Sequence, residues 1–241
     1  MIKGIKTVDG STMSIDEYLG TPRDYPMPIL KAIMPNSRLS HIPNQYAVGE
    51  IIGCLRKSYF NRLYGSYETI DNLIRTKTGT AIHNSFLDEY DMKEKQMTYD
   101  FKHNGEKLYI KGKFDGYDFQ SKTLIDLKTK QDVTKINRPY ENNVLQLQCF
   151  ATLAKATMNL QIEKLQVIYL DLSKIKPFEI PFNDQLDFMK QRTILLHDAV
   201  TNHQKPKEEV SVFCQDCFFN EKCTIPSNFI RKPSFNRGIL K

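Results

Sequence analysis

The stretch from Glu106 to Lys130, EKLYIKGKFDGYDFQSKTLIDLKTK, leaves this chain few folds to choose from. It holds two runs with the period of a β-strand, joined by a short polar connection. In the first run Leu108, Ile110, Gly112, Phe114 and Gly116 share one face; Tyr109, Lys111, Lys113, Asp115 and Tyr117 share the other. In the second, Thr123 to Lys128, Ile125 and Leu127 oppose Asp126 and Lys128. A carboxylate therefore ends one strand, and a carboxylate and an amine lie side by side on the next. Two carboxylates on neighbouring strands can hold a hard cation such as magnesium or manganese. Such an ion can bind a phosphate, lower the pKa of a bound water and stabilise a leaving oxygen. Lys128 is placed to orient that water or neutralise charge on the phosphate. A surface hairpin with solvated charges is the plainer reading of the same residues.

The flanks extend the pattern. Asn104-Gly105 signals a tight hairpin after a weakly alternating run from Gln96 to Lys102. Upstream, Val48 to Tyr64 has the apolar spacing of a helix that contains Cys54, Arg56 and Lys57. A second helical stretch, Ile70 to Met92, puts Gly79, His83, Leu87 and Tyr90 on one face. Downstream, Pro139 opens a helix to about Asn159, with Val144, Leu147, Phe150, Ala151 and Leu153 as its buried face. Leu165 to Leu172 reads as a central buried strand, and Phe178 to Phe182 as a strand that pairs with it. Asp184 to His203 is a further helix, with Leu186, Met189, Ile194, Leu195 and Val200 apolar. The order helix–strand–strand–strand–helix–strand predicts an α/β sheet flanked by helices.

Composition bounds what such a chain does. Its 241 residues are 40% hydrophobic and 26% charged, ordinary for a globular chain, and the net charge of +6 suits an anionic partner. No apolar run reaches the length of a bilayer span, and Met1 to Lys6 carry no signal-peptide pattern, so a cytoplasmic place and no membrane are expected. No phosphate-loop motif occurs, which argues against a nucleotide-driven motor. Three of the five cysteines, Cys214, Cys217 and Cys223, form C-x2-C-x5-C; only Cys54 and Cys149 remain to complete a set of four. Spacing alone admits either a zinc clasp or an iron–sulfur cluster.

Gly112 to Asp115, followed by Ile125-Asp126-Leu127-Lys128-Thr129, resembles the GxxD…(D/E)xK core of the PD-(D/E)XK nucleases, in their RecB-like exonuclease branch. That resemblance implies a restriction-endonuclease-like core of order αβββαβ. Gly79 to His83 matches the family's Gly-x3-His, whose histidine binds the metal. His83, Asp115, Asp126 and the Leu127 carbonyl are thus the implied ligands of manganese or magnesium, with Lys128 catalytic. The family's Gln-x3-Tyr helix is similar to Gln146 to Phe150, with phenylalanine in place of tyrosine. Gln146 is then a positioning residue, and Gln148 is the less favoured occupant of that role.

In the iron–sulfur members of this branch one cysteine precedes the core and three follow it. Cys54-Leu55-Arg56-Lys57 resembles the first element, so a 4Fe–4S cluster on Cys54, Cys214, Cys217 and Cys223 is implied, joining the N-terminal helix to the C-terminal loop. Cys149 is left as a buried helix residue, and Arg56 and Lys57 are expected to touch DNA. The resemblance is strongest to the CRISPR-associated exonucleases of the fourth family, with AddB-type nuclease domains as relatives. It implies a metal-dependent exonuclease on single-stranded DNA ends, in spacer acquisition or in repair. Its implied partners are DNA and a CRISPR integrase; a second copy of the chain is a separate expectation. The expected organisation is an extended arm over residues 1–44, a nuclease domain over 45–225 and a basic tail over 226–241. The competing readings are a non-catalytic nucleic-acid-binding module and a zinc-clasped structural protein.

Overall fold

The computed structural model describes residues 2–21, 25–34, 41–211, 214 and 217–223; the basic tail lies outside them. The chain opens with β1 (Ile2–Lys6), β2 (Thr12–Ser14), α1 (Ile15–Gly20) and α2 (Met27–Ile33). Two short elements, β3 (Gln45–Ala47) and α3 (Val48–Ile51), lead into α4 (Leu55–Tyr64), β4 (Ser66–Glu68) and α5 (Ile70–Leu87). Then come β5 (Met92–Lys93), β6 (Gln96–His103), β7 (Glu106–Lys113), β8 (Gly116–Asp118) and β9 (Thr123–Thr129). The remainder is α6 (Glu141–Met158), β10 (Lys164–Leu170), β11 (Ile175–Ile180), α7 (Leu186–Thr201) and α8 (Asn220–Cys223). Mixed sheets and helices make the fold α/β.

The described residues of the 1–44 segment depart from the expected extended arm. Strand β1 pairs antiparallel with β2 and parallel with β4, which draws the segment into a three-stranded sheet. Ser14 caps α1, accepting from the Glu17 N–H while Glu17 returns a bond to the Ser14 N–H. Ile5, Tyr18, Leu30 and Leu73 form a small core beneath this layer.

Two of the expected elements are broken. The helix over 48–64 is interrupted at Ile52 to Cys54, so Cys54 is the N-cap of α4 and not an interior helix residue. The strand through Lys113 to Tyr117 ends at Lys113 and resumes at Gly116. Strand β7 lies in a sheet of order β3-β7-β6, whereas β8 belongs to a sheet of order β11-β10-β9-β8-β5. Asp115 sits in the bend between them.

The hairpin between β6 and β7 turns through Asn104 and Gly105 with φ of 49° and 84°, the left-handed pair that a two-residue turn requires. Strand β9 pairs antiparallel with β8 and parallel with β10. Five consecutive β9 residues, Thr123 to Leu127, are buried. Leu124 joins the main core with Leu147 and Ala151 of α6, and Ile125 and Leu127 pack with Leu87 and Ile82 of α5. Helices thus cover both faces of this strand.

Helix α6 starts at Glu141 and ends at Asn159, which adopts a left-handed C-cap. It rests on β7 at Gly112, where an added Cβ would stand 2.7 Å from Leu153 Cδ1 and 3.1 Å from Phe150 Cδ1. Helix α5 ends at Leu87, short of the expected Met92. In α7 the buried leucine is Leu196; Leu195, expected inside, is 57% exposed. Strand β10 lies between β9 and antiparallel β11, and Leu172 falls beyond its end, in solvent. Among the described residues no helix is long and apolar enough to cross a membrane.

Candidate active site and cysteine pocket

Four elements converge at the C-terminal half of β9. Asp126 projects from this strand toward α6 and is 1% exposed. Its Oδ1 accepts from Lys128 Nζ at 2.8 Å, and the same ammonium donates to Gln146 Oε1 at 3.0 Å. The other Asp126 oxygen, Oδ2, is buried with no hydrogen-bond partner among the described residues. Burial pushes the Asp126 carboxyl up to about 7, with Lys128 opposing the rise and Asp115 adding to it.

Asp115 reaches this group from the β7–β8 bend. Its Oδ2 accepts from the Leu127 N–H at 2.7 Å. The N–H and C=O of one strand residue point to the same edge, so the Leu127 carbonyl also faces the Asp115 side. His83 approaches from α5, with Nδ1 3.9 Å from Asp115 Oδ2. Burial holds its imidazole below the usual histidine value, which favours the neutral form that ligates metals. Gly79, one turn earlier, is the reason α5 can lie so near: a Cβ there would stand 3.1 Å from Thr129 Oγ1 at the end of β9.

His83, Asp115, Asp126, Lys128 and Gln146 are thus gathered in one place. Gln148 is not part of it, for its amide donates to the Pro181 carbonyl at 3.1 Å. Phe150 packs on Gly112 and is buried. Among the described residues no group of three or more His, Cys, Asp and Glu side chains is arranged to hold a metal ion as it stands. The chemistry of the donors still suits a hard cation. A desolvated carboxylate with one orphan oxygen, beside a second carboxylate and an imidazole, is a set whose charge only Lys128 partly offsets.

The cysteines form a separate pocket. Cys54, Cys214, Cys217 and Cys223 line one cavity of about 50 Å³, together with Lys57 and Phe60. Burial pushes the Cys217 thiol up, and Cys54 and Cys214 stand near enough to push it further. None of the four forms a disulfide, which suits a thiolate-bound group. Cys149 is apart from them, buried in α6, where desolvation raises its thiol to about 12 and leaves it inert.

The expectation of a DNA contact from Arg56 is revised by its surroundings. The residue is 6% exposed. Its guanidinium donates to the Pro206 and Cys223 carbonyls, lies 3.7 Å from Cys223 Sγ and pairs with Glu208. Arg56 braces the C-terminal loop; Lys57, on the next position, is exposed.

Two further braces carry no local sequence signal. Arg192 of α7 donates to the Ile51 and Gly53 carbonyls and forks onto Glu209, with contacts of 2.6 and 3.0 Å. Glu209 in turn accepts from the Leu55 N–H at 2.9 Å, which fixes the turn that presents Cys54. Both residues look like ordinary surface charges in the sequence, because the backbone groups they hold, at Ile51, Gly53 and Leu55, lie 139 or more positions away.

No known family model matches the sequence, and no curated protein matches it. Seventeen chains of solved structures match in fold. One, described as the crystal structure of SSO0001, superposes with a TM-score of 0.56 at 20% identity, over 88% of this chain and 96% of that one. At that identity the likeness speaks for the α/β fold alone.

Proposed function

We propose that this protein is a metal-dependent DNA nuclease with a restriction-endonuclease-like core of the RecB type. The observation that carries the reading is Asp126: a buried carboxylate with an unpartnered oxygen, beside Asp115, with Lys128 bridging it to Gln146. A structural ion pair has little reason to leave one oxygen orphaned at that depth, because desolvation without a partner costs about 1–3 kcal/mol.

His83, Asp115, Asp126 and the Leu127 carbonyl would hold manganese or magnesium. When bound, the ion would neutralise the scissile phosphate and lower the pKa of a water. Asp126 and Asp115 fix the negative charge that recruits it. Lys128 carries a positive charge at the edge of the site, where charge grows on the phosphate as water attacks phosphorus and the ester bond breaks. Gln146 accepts one Lys128 N–H and so limits the directions the ammonium can point. The resemblance to RecB-like exonucleases supports free ends of single-stranded DNA as substrate. Cys54, Cys214, Cys217 and Cys223 would hold a 4Fe–4S cluster that ties the start of α4 to the C-terminal loop.

The test is cleavage of end-labelled single strands with manganese or magnesium. Asp126→Ala should lose metal and activity. Lys128→Ala should still bind DNA and metal but cleave about a hundredfold more slowly or worse, the scale of losing one transition-state charge contact. Chelator-resistant cleavage, or wild-type rates in Lys128→Ala, would rule this site out.

A further inference from the structure

The β9–α6 connection, residues 130–140, begins two positions after Lys128 and takes no part in the site described above. It is a built surface. Val133 and Ile136 are buried and anchor the loop to the core. The Val133 N–H donates to Asp171 Oδ2 at 3.0 Å, and the Lys130 N–H donates to the Leu170 carbonyl at 2.8 Å. At the far end the buried Tyr169 hydroxyl accepts from the Tyr140 N–H at 2.9 Å and from Asn143 Nδ2 at 2.8 Å.

What this frame presents outward is mainly basic and aromatic, with Glu141 as an acidic residue of the lining. Lys130, Lys135, Arg138, Tyr140 and Asn142 line an open groove of about 870 Å³. Tyr140 is 50% exposed although its ring is held edge-on against Tyr169, with centroids 5.6 Å apart. The Lys130 ammonium stands 4.7 Å from the Tyr140 centroid and has no carboxylate partner among the described residues. Arg138 likewise has none among them. Burial, and after it the nearby Lys128, holds the Lys130 ammonium below the usual lysine value. Lys135 is paired with Asp132 at 3.5 Å, whereas Lys130 beside the half-exposed ring and Arg138 in the same groove lining are left to complement an anionic ligand that has a flat face.

We propose that residues 130–143 form a nucleotide platform: Tyr140 stacks on a base of single-stranded DNA, while Lys130 and Arg138 hold the phosphates on either side of it. This rests on the nuclease reading for the direction of the strand, which would run from the platform past Lys128. The ring supplies a π-face that any base can use, so the platform sets position and affinity without reading sequence. Its frame is already hydrogen-bonded, so little ordering remains to be done on binding.

The test is fluorescence anisotropy of the full-length protein with a labelled single-stranded oligonucleotide, in chelator, so that nothing is cleaved. Tyr140→Ala should raise Kd about 5- to 150-fold, the range of one base–aromatic stack. Tyr140→Phe should bind like wild type, since the ring and not the hydroxyl is used. Arg138→Ala should lower the slope of log K against log salt by about 0.7, one single-strand phosphate. Unchanged melting temperatures separate these effects from misfolding. Wild-type affinity in Tyr140→Ala, or no binding by the wild type, overturns the platform. Cleavage with manganese, run in parallel, separates the two readings. Tyr140-dependent binding without cleavage keeps the platform and removes the enzyme; cleavage with Tyr140-independent binding does the reverse.

Discussion

Replacing Gly112 by alanine probes how closely α6 is set against the sheet. The new methyl would stand 2.7 Å from Leu153 Cδ1 and 3.1 Å from Phe150 Cδ1. An unstrained carbon–carbon contact is about 3.5–4.0 Å, so the layer must open by roughly 1 Å or Leu153 must change rotamer. Overpacking of this kind costs about 1–3 kcal/mol. Restricting the unfolded chain returns about 0.4–1 kcal/mol. The net loss is therefore about 0–2.6 kcal/mol, read as a lower urea midpoint at unchanged slope. Leu153, itself fully buried, should cost about 2–5 kcal/mol when cut to alanine. In the double variant the Gly112→Ala methyl enters the space that Leu153 vacates. Its loss should then fall short of the sum of the two single losses by about 1 kcal/mol or more. Additivity within about 0.5 kcal/mol, or a Gly112→Ala protein more stable than wild type, would refute the packing argument.

Asp171 gives a pH test. Backbone N–H groups of Val133, Ser173 and Lys174 hold its carboxyl down to about 2, against 3.8 ordinarily. A depressed folded value means that the stabilisation is complete above about pH 4 and fades as pH falls from there through 2. Asp171→Asn should flatten that part of the stability–pH curve, and an unchanged curve would contradict the assignment. At the cysteine pocket, anaerobically purified protein should contain iron and sulfide, lost together with stability in Cys214→Ala. Stoichiometric zinc without iron would replace the cluster with a clasp.

What could be read in the sequence was what is local. Asn104-Gly105 dictates its own left-handed turn, and the alternation from Leu108 to Phe114 matches burial because each residue's face is set by the pleat. Asp126 and Lys128 share a face for the same reason, and Gln146 follows from helical spacing relative to Phe150. What could not be read depends on distant partners. The periodicity of Ile51, Ile52 and Leu55 runs unbroken across residues 52–54, yet the helix stops there. Arg192 takes the carbonyls of Ile51 and Gly53 that a continuing helix would have used. The strand pattern likewise continues through Asp115, while the Leu127 N–H draws that carboxylate into a bend. Arg56 has the sequence of a solvated charge and the surroundings of a core residue, since its partners Pro206, Glu208 and Cys223 lie 150 or more positions on.

Tyr169 accepts two bonds from the start of α6, and it lies on β10 directly across from Lys128 in the parallel ladder. The beginning of the helix is thereby indexed to the strand beside the site and not to the loop that precedes it. An insertion or deletion between Lys130 and Tyr140 would be taken up before the index point, and the spacing of Gln146 from Lys128 would stay the same. Loop length can therefore drift among relatives, altering what the outer surface grips, while the Lys128–Gln146 contact remains in register.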